Sequence, residues 1–163
     1  MLPHLNAAYN LARWMCRNDH DAEDLVQESF LRAYRFFPAF QGGDGRGWLL
    51  TIVRNTCFTW LRRSKERGVM AVFDERIHDS AADAADPEVT LVQAAGNAPV
   101  RDCLEALPPE YREVMVMREL EDLSYKEIAE AISTPLGTVM SRLSRARKRM
   151  EACLRLRRAG SKA

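Results

Sequence analysis

The segment from Leu123 to Met150 constrains the fold more than any other part of the chain, because it encodes two helices separated by a break. Ser124 and Glu127 have the S-x-x-E spacing of a capping box, which starts a helix, and apolar residues then follow at helical spacing. Thr134 can cap a second helix, and Pro135 suits its first turn, where the missing N–H costs nothing. The sequence therefore predicts a helix-turn-helix.

The second helix of this motif has an outer face of polar and basic side chains. A helix with such a face can enter the major groove of DNA and present hydrogen-bonding groups to base edges. We therefore expect a DNA-binding module at this end of the chain. The residues on the face are Thr138, Met140, Ser141, Ser144, Arg145 and Lys148.

Length and composition exclude several other classes of protein. The 163 residues suffice for one medium domain or two small ones, and no apolar run approaches the roughly 18 residues of a membrane span. The N-terminus lacks a signal-peptide pattern, so we expect a cytoplasmic protein. The four cysteines lie far apart without a C-x-x-C pair, which predicts free thiols. Cys16 and His20 have metal-ligand spacing, but without a second ligand pair we expect no metal and no cofactor.

The net charge of +1 conceals two basic blocks. Residues 46–67 contain six bases and one acid, and residues 141–163 contain nine bases and one acid. Residues 74–105, which lie between the blocks, contain eight acids and two bases. This pattern favours two surfaces for one polyanion, with the spacer repelled from it, although solvated surface charge would explain either block alone.

The first 63 residues read as three helices. The first is predicted near residues 5–17, and the second begins at a cap on Asp21 and ends at Pro38. Residues 41–47 contain four glycines, which predicts a loop that lets the backbone approach a ligand closely. A third helix is predicted over residues 48–63.

The remainder of the chain reads as a linker followed by a second helical module. Residues 64–99 lack sustained periodicity, and residues 81–87 are acidic and of low complexity, although residues 88–95 allow a short helix. Helices are predicted over residues 100–107 and 110–119, separated by two prolines, before the helix-turn-helix. The predicted fold class is all-α, with two small helical modules joined by a flexible acidic linker.

The segment Asp21–Glu28 (D-A-E-D-L-V-Q-E) allows three interpretations. Glu23, Asp24 and Glu28 would be metal carboxylates in an enzyme of nucleotidyl chemistry, but no histidine pair, lysine or second acidic cluster supports that reading. Alternatively, the acids only complement the dipole of a surface helix. The third interpretation is a docking surface for a partner helix.

The predicted third helix, residues 48–63, has an inner face and a face suited to nucleic acid. Arginines follow phosphate, an amide reads base edges, and an aromatic ring stacks on an unpaired base. For Trp60 a structural role is the better explanation. The inner face contains Leu49, Ile52, Val53, Thr56 and Trp60, and the other contains Asn55, Phe58, Thr59, Arg62 and Arg63.

The motifs now described resemble those of bacterial RNA polymerase sigma factors of the extracytoplasmic-function (ECF) group. The resemblance covers residues 5–65 and 101–151, with the family's motifs in the right order. They are D-A-E-D-L-V-Q-E-S-F-L-R-A-Y, W-L-L-T-I-V-R-N with R-R, L-P-P-E-Y-R-E-V-M, L-S-Y-K-E-I-A and G-T-V-M-S-R-L-S-R-A-R. It implies sigma region 2 over residues 1–66, a linker over 67–99, and sigma region 4 over 100–163.

The resemblance also implies a role for each set of residues. Asp24, Leu25, Gln27 and Glu28 would bind the β′ clamp helices of core RNA polymerase. The loop 41–47, with Asp44 and Arg46, would hold a flipped base of the −10 element together with Asn55, while Arg54, Arg62 and Arg63 contact the separating strands. Met140, Ser141, Ser144 and Arg145 would face the −35 element, with Thr138, Arg142 and Lys148 nearer to phosphate.

Three departures from the family pattern affect these roles. Met140 stands where relatives often have lysine or arginine, which favours an apolar contact such as a thymine methyl group. Ser133 stands in place of the usual turn glycine. The loop 41–47 is also richer in glycine and poorer in aromatic residues than in many relatives.

The resemblance implies a non-enzymatic, monomeric initiation factor whose partners are core RNA polymerase (β′ clamp helices and β flap), promoter DNA and an anti-sigma factor. Two alternatives remain open. A stand-alone helix-turn-helix regulator would bind duplex DNA without polymerase, which leaves residues 21–28 unexplained. A sigma-mimic adaptor that sequesters an anti-sigma protein would have lost its basic faces, whereas Arg62, Arg63 and Arg145 are present.

Overall fold

The computed structural model describes residues 2–67 and 98–161, and every regular element in these two ranges is helical. The first module contains α1 (Leu5–Cys16), α2 (Asp19–Phe36) and α3 (Gly45–Glu66), with short 3₁₀ turns at Leu2–His4 and Phe37–Ala39. The second contains α4 (Ala98–Ala106), α5 (Pro109–Met115), a π-helical turn (Val116–Leu120), α6 (Tyr125–Ala131) and α7 (Leu136–Ser161). The predicted all-α class is confirmed.

The three helices of the first module pack pairwise around one apolar core. The predicted cap of α2 was wrong by three residues, because the side chain of Asn18 accepts a hydrogen bond from the backbone N–H of Asp21. Asp19 and Asp21 therefore lie in the first turn of α2, where their charge complements the helix dipole.

The start of α3 differs from the predicted loop 41–47. Gly42 and Gly43 have φ angles of 87° and 93°, which glycine adopts without strain, but the helix already begins at Gly45. Its first turn is closed by the N–H of Trp48, which donates to the carbonyl oxygen of Asp44 at 3.1 Å. A side chain at Gly47 would lie 2.6 Å from an Asp44 carboxylate oxygen, so glycine gives this turn its room.

The predicted helix-turn-helix is confirmed. Ser124 and Glu127 form a reciprocal capping box, with N···O distances of 3.0 and 3.1 Å. Ser133 adopts a φ of 52° in the turn, the left-handed conformation that is easiest for glycine. α7 then runs for 26 residues, well past the predicted end of the motif at residue 150.

The two modules pack against each other, with α3 in contact with α6 and α1 in contact with α5. The side chain of Arg112 joins them, because its buried guanidinium group donates to the carbonyl oxygens of Glu105 (2.8 Å), Leu107 (3.1 Å) and Met15 (3.1 Å). The acidic segment 81–87 and the optional helix over 88–95 lie outside the described residues.

The predicted four free thiols were wrong for one pair. Cys103 in α4 and Cys153 in α7 form a disulfide, with their Cα atoms 5.8 Å apart, while Cys16 and Cys57 are free and buried. The prediction failed because it relied on the wide spacing of the cysteines in the sequence. In the fold, α7 runs back along α4 and brings together two cysteines that are 50 positions apart. Among the described residues there is no cluster of metal-ligating side chains, and no helix has the length and apolar character needed to cross a membrane.

Candidate nucleic-acid and partner interface

The exposed face of α7 begins at the turn of the helix-turn-helix. Val139, Leu143, Ala146 and Met150 lie on the opposite face and are buried, which fixes the rotation of the helix. Of the predicted reading residues, five are exposed and two are partly buried. The exposed residues are Met140, Ser141, Ser144, Arg145 and Lys148, and the partly buried ones are Thr138 and Arg142.

Two apolar side chains lie at the start of this face, of which only Met140 was predicted from the sequence. Leu136 and Met140 are 48% and 51% exposed and stand one helical turn apart, so their side chains lie on the same side of α7. Gly137 between them has open space where a Cβ atom would lie. The N-terminal turn of α7 therefore presents methyl and methylene groups, flanked by hydroxyl groups and, further along, by cations.

The basic face of α3 is exposed only in part. Asn55, Arg62 and Arg63 are exposed as predicted, and Lys65 and Arg67 extend the face beyond the predicted end of the helix. Its aromatic residues are only partly exposed. Phe58 lies under the guanidinium group of Arg54, 4.2 Å from the ring centroid, and Trp60 packs against the core.

Arg54 points towards the second module. Its guanidinium group donates two hydrogen bonds to the Glu113 carboxylate, at 2.8 and 3.2 Å, and a third to the Asn55 side-chain oxygen at 3.2 Å. Glu113 is fully buried, and this burial raises the pKa of its carboxyl group, while Arg54 opposes the shift. The predicted phosphate contact of Arg54 is thus occupied by a carboxylate of α5 in this arrangement.

Arg46 has a similar partner. It forms an ion pair with the Glu121 carboxylate at 3.1 Å and donates to the Glu121 carbonyl oxygen, while Asn10 donates to the same carboxylate at 3.3 Å. Glu121 is buried and follows the π-helical turn of the second module. Two of the cations predicted to contact DNA are therefore neutralised by the second module.

A cleft of about 400 Å³ lies between the start of α3 and α6. Aromatic rings line one side, since Phe40 and Trp48 pack with centroids 4.9 Å apart and Phe37 stands 6.4 Å from Trp48. The loop 41–47 itself contains no aromatic residue, so these rings come from the segments that flank it. The other lining residues include Gln41, Asp44 and Thr51 from the first module and Glu127 and Glu130 from the second.

The outer face of α2 is acidic at its start and apolar towards its end. Asp24, Gln27 and Glu28 are exposed as a partner-binding face requires, whereas Leu25 is only 3% exposed and belongs to the core. Leu31 and Tyr34, which the sequence analysis missed, are 65% and 78% exposed and continue the face at helical spacing. The sequence did contain a signal for these two residues, because they follow the acids of the same predicted helix at helical spacing.

These elements define an all-α protein of two modules, each with an exposed basic face suited to nucleic acid. Residues 2–67 match the family model described as Sigma-70 region 2, and residues 98–150 match the one described as Sigma-70, region 4. The chain is 36% identical over 148 residues to the ECF RNA polymerase sigma-E factor of Haemophilus influenzae, covering 86% of this chain and 77% of that protein. The chain therefore belongs to the ECF group of sigma factors.

Further comparisons agree with this assignment. The chain is 36% identical over 147 residues to the ECF RNA polymerase sigma factor SigE of Mycolicibacterium smegmatis, which covers 90% of this chain but 57% of that protein. The fold is shared with the sigma factor RpoE of Bartonella quintana, solved with the anti-sigma factor NepR (TM-score 0.70, 23% identity, 94% of this chain and 93% of that one). CnrH, solved with the cytosolic domain of CnrY, is similar (TM-score 0.66, 23% identity, 95% and 84%).

Proposed function

We propose that the chain binds core RNA polymerase through α2 and directs it to promoters through the basic faces of α3 and α7. The observation that carries the proposal is the presence of two separate exposed basic faces, one on each sigma-type module. A single reading helix would suffice for a stand-alone regulator. Two faces on different modules suit two separated DNA elements. The modules are assigned to residues 1–66 and 100–163, with residues 67–99 as the linker.

The proposed polymerase-binding face consists of Asp24, Gln27, Glu28, Leu31 and Tyr34. Acids at its start attract a basic partner helix and steer its approach, and the exposed apolar side chains supply the area that excludes water. Leu25 supports this face from below, because its buried side chain fixes the rotation of α2. The partner is assigned from the family as the β′ clamp helices.

The proposed −10 site consists of the cleft beside Phe40 and Trp48, Asn55 and the exposed Arg62 and Arg63. A flipped base needs an aromatic or apolar wall, which Phe40 and Trp48 provide, and an amide that bonds to its edge, which is the role proposed for Asn55 further along α3. Arg46 and Arg54 join this site only after Glu121 and Glu113 release them. We therefore expect the modules to separate when promoter DNA and polymerase are bound.

The proposed −35 site is the exposed face of α7. Residues in the N-terminal part of a reading helix meet base edges, and here this set ends at Arg145. Thr138, Arg142 and Lys148 are placed nearer to phosphate. Leu136 and Met140 cannot bond to guanine as an arginine would, but their methyl groups can pack against the methyl group of thymine. We therefore propose that thymine is preferred where these two side chains meet the DNA.

Two further aspects of the proposal come from the family. An anti-sigma factor, such as the NepR that is bound to RpoE of Bartonella quintana, would hold the chain inactive until a signal releases it. The chain would work in the cytoplasm beside the polymerase and would perform no catalytic chemistry of its own.

The test replaces Asp24 with arginine, because a cation there would repel a basic partner. Asp24→Arg should abolish binding to core polymerase in a pull-down with purified enzyme, while the far-UV circular dichroism spectrum stays unchanged. Glu23→Arg is the matched control, since Glu23 is the exposed neighbour that is not assigned to the face. Normal binding by Asp24→Arg would disprove the docking assignment.

A further inference from the structure

The disulfide between Cys103 and Cys153 lies outside every site assigned so far. It joins α4 to the distal part of α7, and Cys153 lies just beyond residue 150, where the match to sigma region 4 ends. The bond therefore ties the family's DNA-binding module to a helical extension of this particular chain. In the reducing cytoplasm proposed above, disulfides are rare, and those that form are mostly transient or redox-sensing.

We propose that Cys103 and Cys153 form a reversible redox site, closed by a peroxide and reopened by a dithiol reductant, that sets the stability of the second module. The proposal concerns the chain by itself, so it does not depend on promoter recognition or polymerase binding.

The surroundings of the four cysteines make this pair the selective target. Cys16 and Cys57 are buried in the first module, and burial raises the pKa of Cys16 to about 12 and that of Cys57 well above its usual value. Both are therefore neutral, shielded and unreactive at physiological pH. Cys153 is partly exposed, so a peroxide can reach it.

One cation beside Cys153 favours its reaction. Arg149 stands one turn before it on the same side of α7 and lies over the Tyr111 ring, 4.9 Å from the ring centroid. Arg157, one turn after it, is instead paired with the Asp102 carboxylate at 2.9 Å. Cations near a thiol favour the thiolate, which is the form that attacks an oxidant. Cys103 is 1% exposed and acts as the resolving thiol.

The reaction is a two-electron oxidation of the pair. The Cys153 thiolate attacks one oxygen of hydrogen peroxide, the O–O bond breaks, and hydroxide leaves behind a sulfenic acid. The Cys103 sulfur then attacks the sulfenyl sulfur, so that the S–S bond forms; the Cys103 proton and the sulfenyl oxygen leave as water. A dithiol reverses the step by attacking Cys153, which expels Cys103 as a thiolate, and its second thiol then expels Cys153 and becomes a disulfide.

Reduction removes the strongest tie of the distal part of α7. The contacts that stay there include the ion pair of Arg157 with Asp102 at 2.9 Å and the packing of Met150 and Leu154. Because the bond closes a loop of 50 residues, chain entropy predicts that reduction raises the unfolding equilibrium constant of the second module by a factor of about a thousand.

The experiment uses the full chain, first reduced with dithiothreitol and then treated with hydrogen peroxide. Cysteines are alkylated under denaturing conditions and counted by mass spectrometry, and urea unfolding is followed by circular dichroism. We expect four alkylated cysteines before oxidation and two after it, a linked peptide that contains Cys103 and Cys153, and a higher unfolding midpoint for the oxidised chain. Dithiothreitol should restore the initial state.

The control is the double variant Cys103→Ala/Cys153→Ala, compared with itself in the two redox states. Its unfolding midpoint should be the same in both, whatever its absolute stability. The proposal is overturned if all four cysteines of the natural chain stay alkylatable after peroxide, or if Cys16 or Cys57 is oxidised first. It is also overturned if the bond forms but the midpoint does not move.

Discussion

Replacing Arg112 by methionine should destabilise the protein and loosen the contact between its modules. Arg112 is 2% exposed, and its guanidinium group donates to carbonyl oxygens of Glu105, Leu107 and Met15. Two of these oxygens belong to the second module, and the oxygen of Met15 belongs to α1 of the first. The same side chain therefore holds α4 against α5 and joins the modules.

The size of the effect follows from these three contacts. Methionine fills a similar volume but donates no hydrogen bond. The carbonyl oxygens of Leu107 and Met15 lose the Arg112 donor, at a cost of about 1–3 kcal/mol each. The carbonyl oxygen of Glu105 still accepts from Arg17 at 3.3 Å. Part of this destabilisation is offset, because the variant no longer has to desolvate a charged guanidinium group when it folds. We expect a net destabilisation of about 3 kcal/mol, of which the Met15 contact accounts for about 1 kcal/mol.

The assay is urea unfolding followed by circular dichroism, with small-angle X-ray scattering to detect separation of the modules. The Arg112→Met variant should unfold at lower urea and have a larger radius of gyration, and Arg112→Lys should be intermediate because an ammonium group reaches fewer carbonyls. Arg155→Met, at an exposed position on α7, should change stability by less than about 0.5 kcal/mol. If the unfolding free energy of Arg112→Met lies within about 0.5 kcal/mol of that of the natural chain, the hydrogen bonds of Arg112 do not stabilise the contact between the modules.

Three further predictions concern the DNA-reading helix and the first module. Arg145→Ala should weaken binding to the −35 element by about 1–3 kcal/mol in competition assays between promoters. An unchanged preference for the −35 sequence would mean that the DNA-reading face of α7 is wrongly assigned. Replacing −35 thymines by deoxyuridine should weaken binding of the natural chain but not of the double variant Leu136→Ala/Met140→Ala, and equal losses in both would exclude the methyl contact. Burial, followed by the charge of Asp19, raises the pKa of Tyr9 to about 12. Its contribution to stability is therefore complete below about pH 10 and is lost as the pH rises through 12. A spectrophotometric titration should show one tyrosine that ionises at a higher pH than the others, and this transition should be missing in Tyr9→Phe.

The parts of the fold that the sequence predicted well are those set by local chemistry. The capping box of Ser124 and Glu127 and the proline after Thr134 act within one or two turns, so the helix-turn-helix was predicted correctly. The cap of α2 was misplaced because Asn18 and Asp21 are both good caps, and only the backbone path decides between them. Helix existence was therefore more predictable than helix ends.

The interactions that the sequence did not predict are those between distant residues. Arg54 and Glu113 are 59 positions apart, and Cys103 and Cys153 are 50 apart, so neither pair has a local pattern. The sequence around Arg54 does not distinguish an arginine that contacts phosphate from one that pairs with a carboxylate. The same limit explains Leu25, which shares a motif with exposed residues but points into the core.

In vitro transcription with purified core RNA polymerase, with and without this chain, on the promoter of its own operon tests directly whether the chain works as a sigma factor. We expect a specific transcript that starts only when the chain is present, and co-purification of the chain with the core enzyme in the same sample. A chain that binds duplex DNA but neither binds the core enzyme nor produces a transcript would contradict this role and favour a stand-alone regulator.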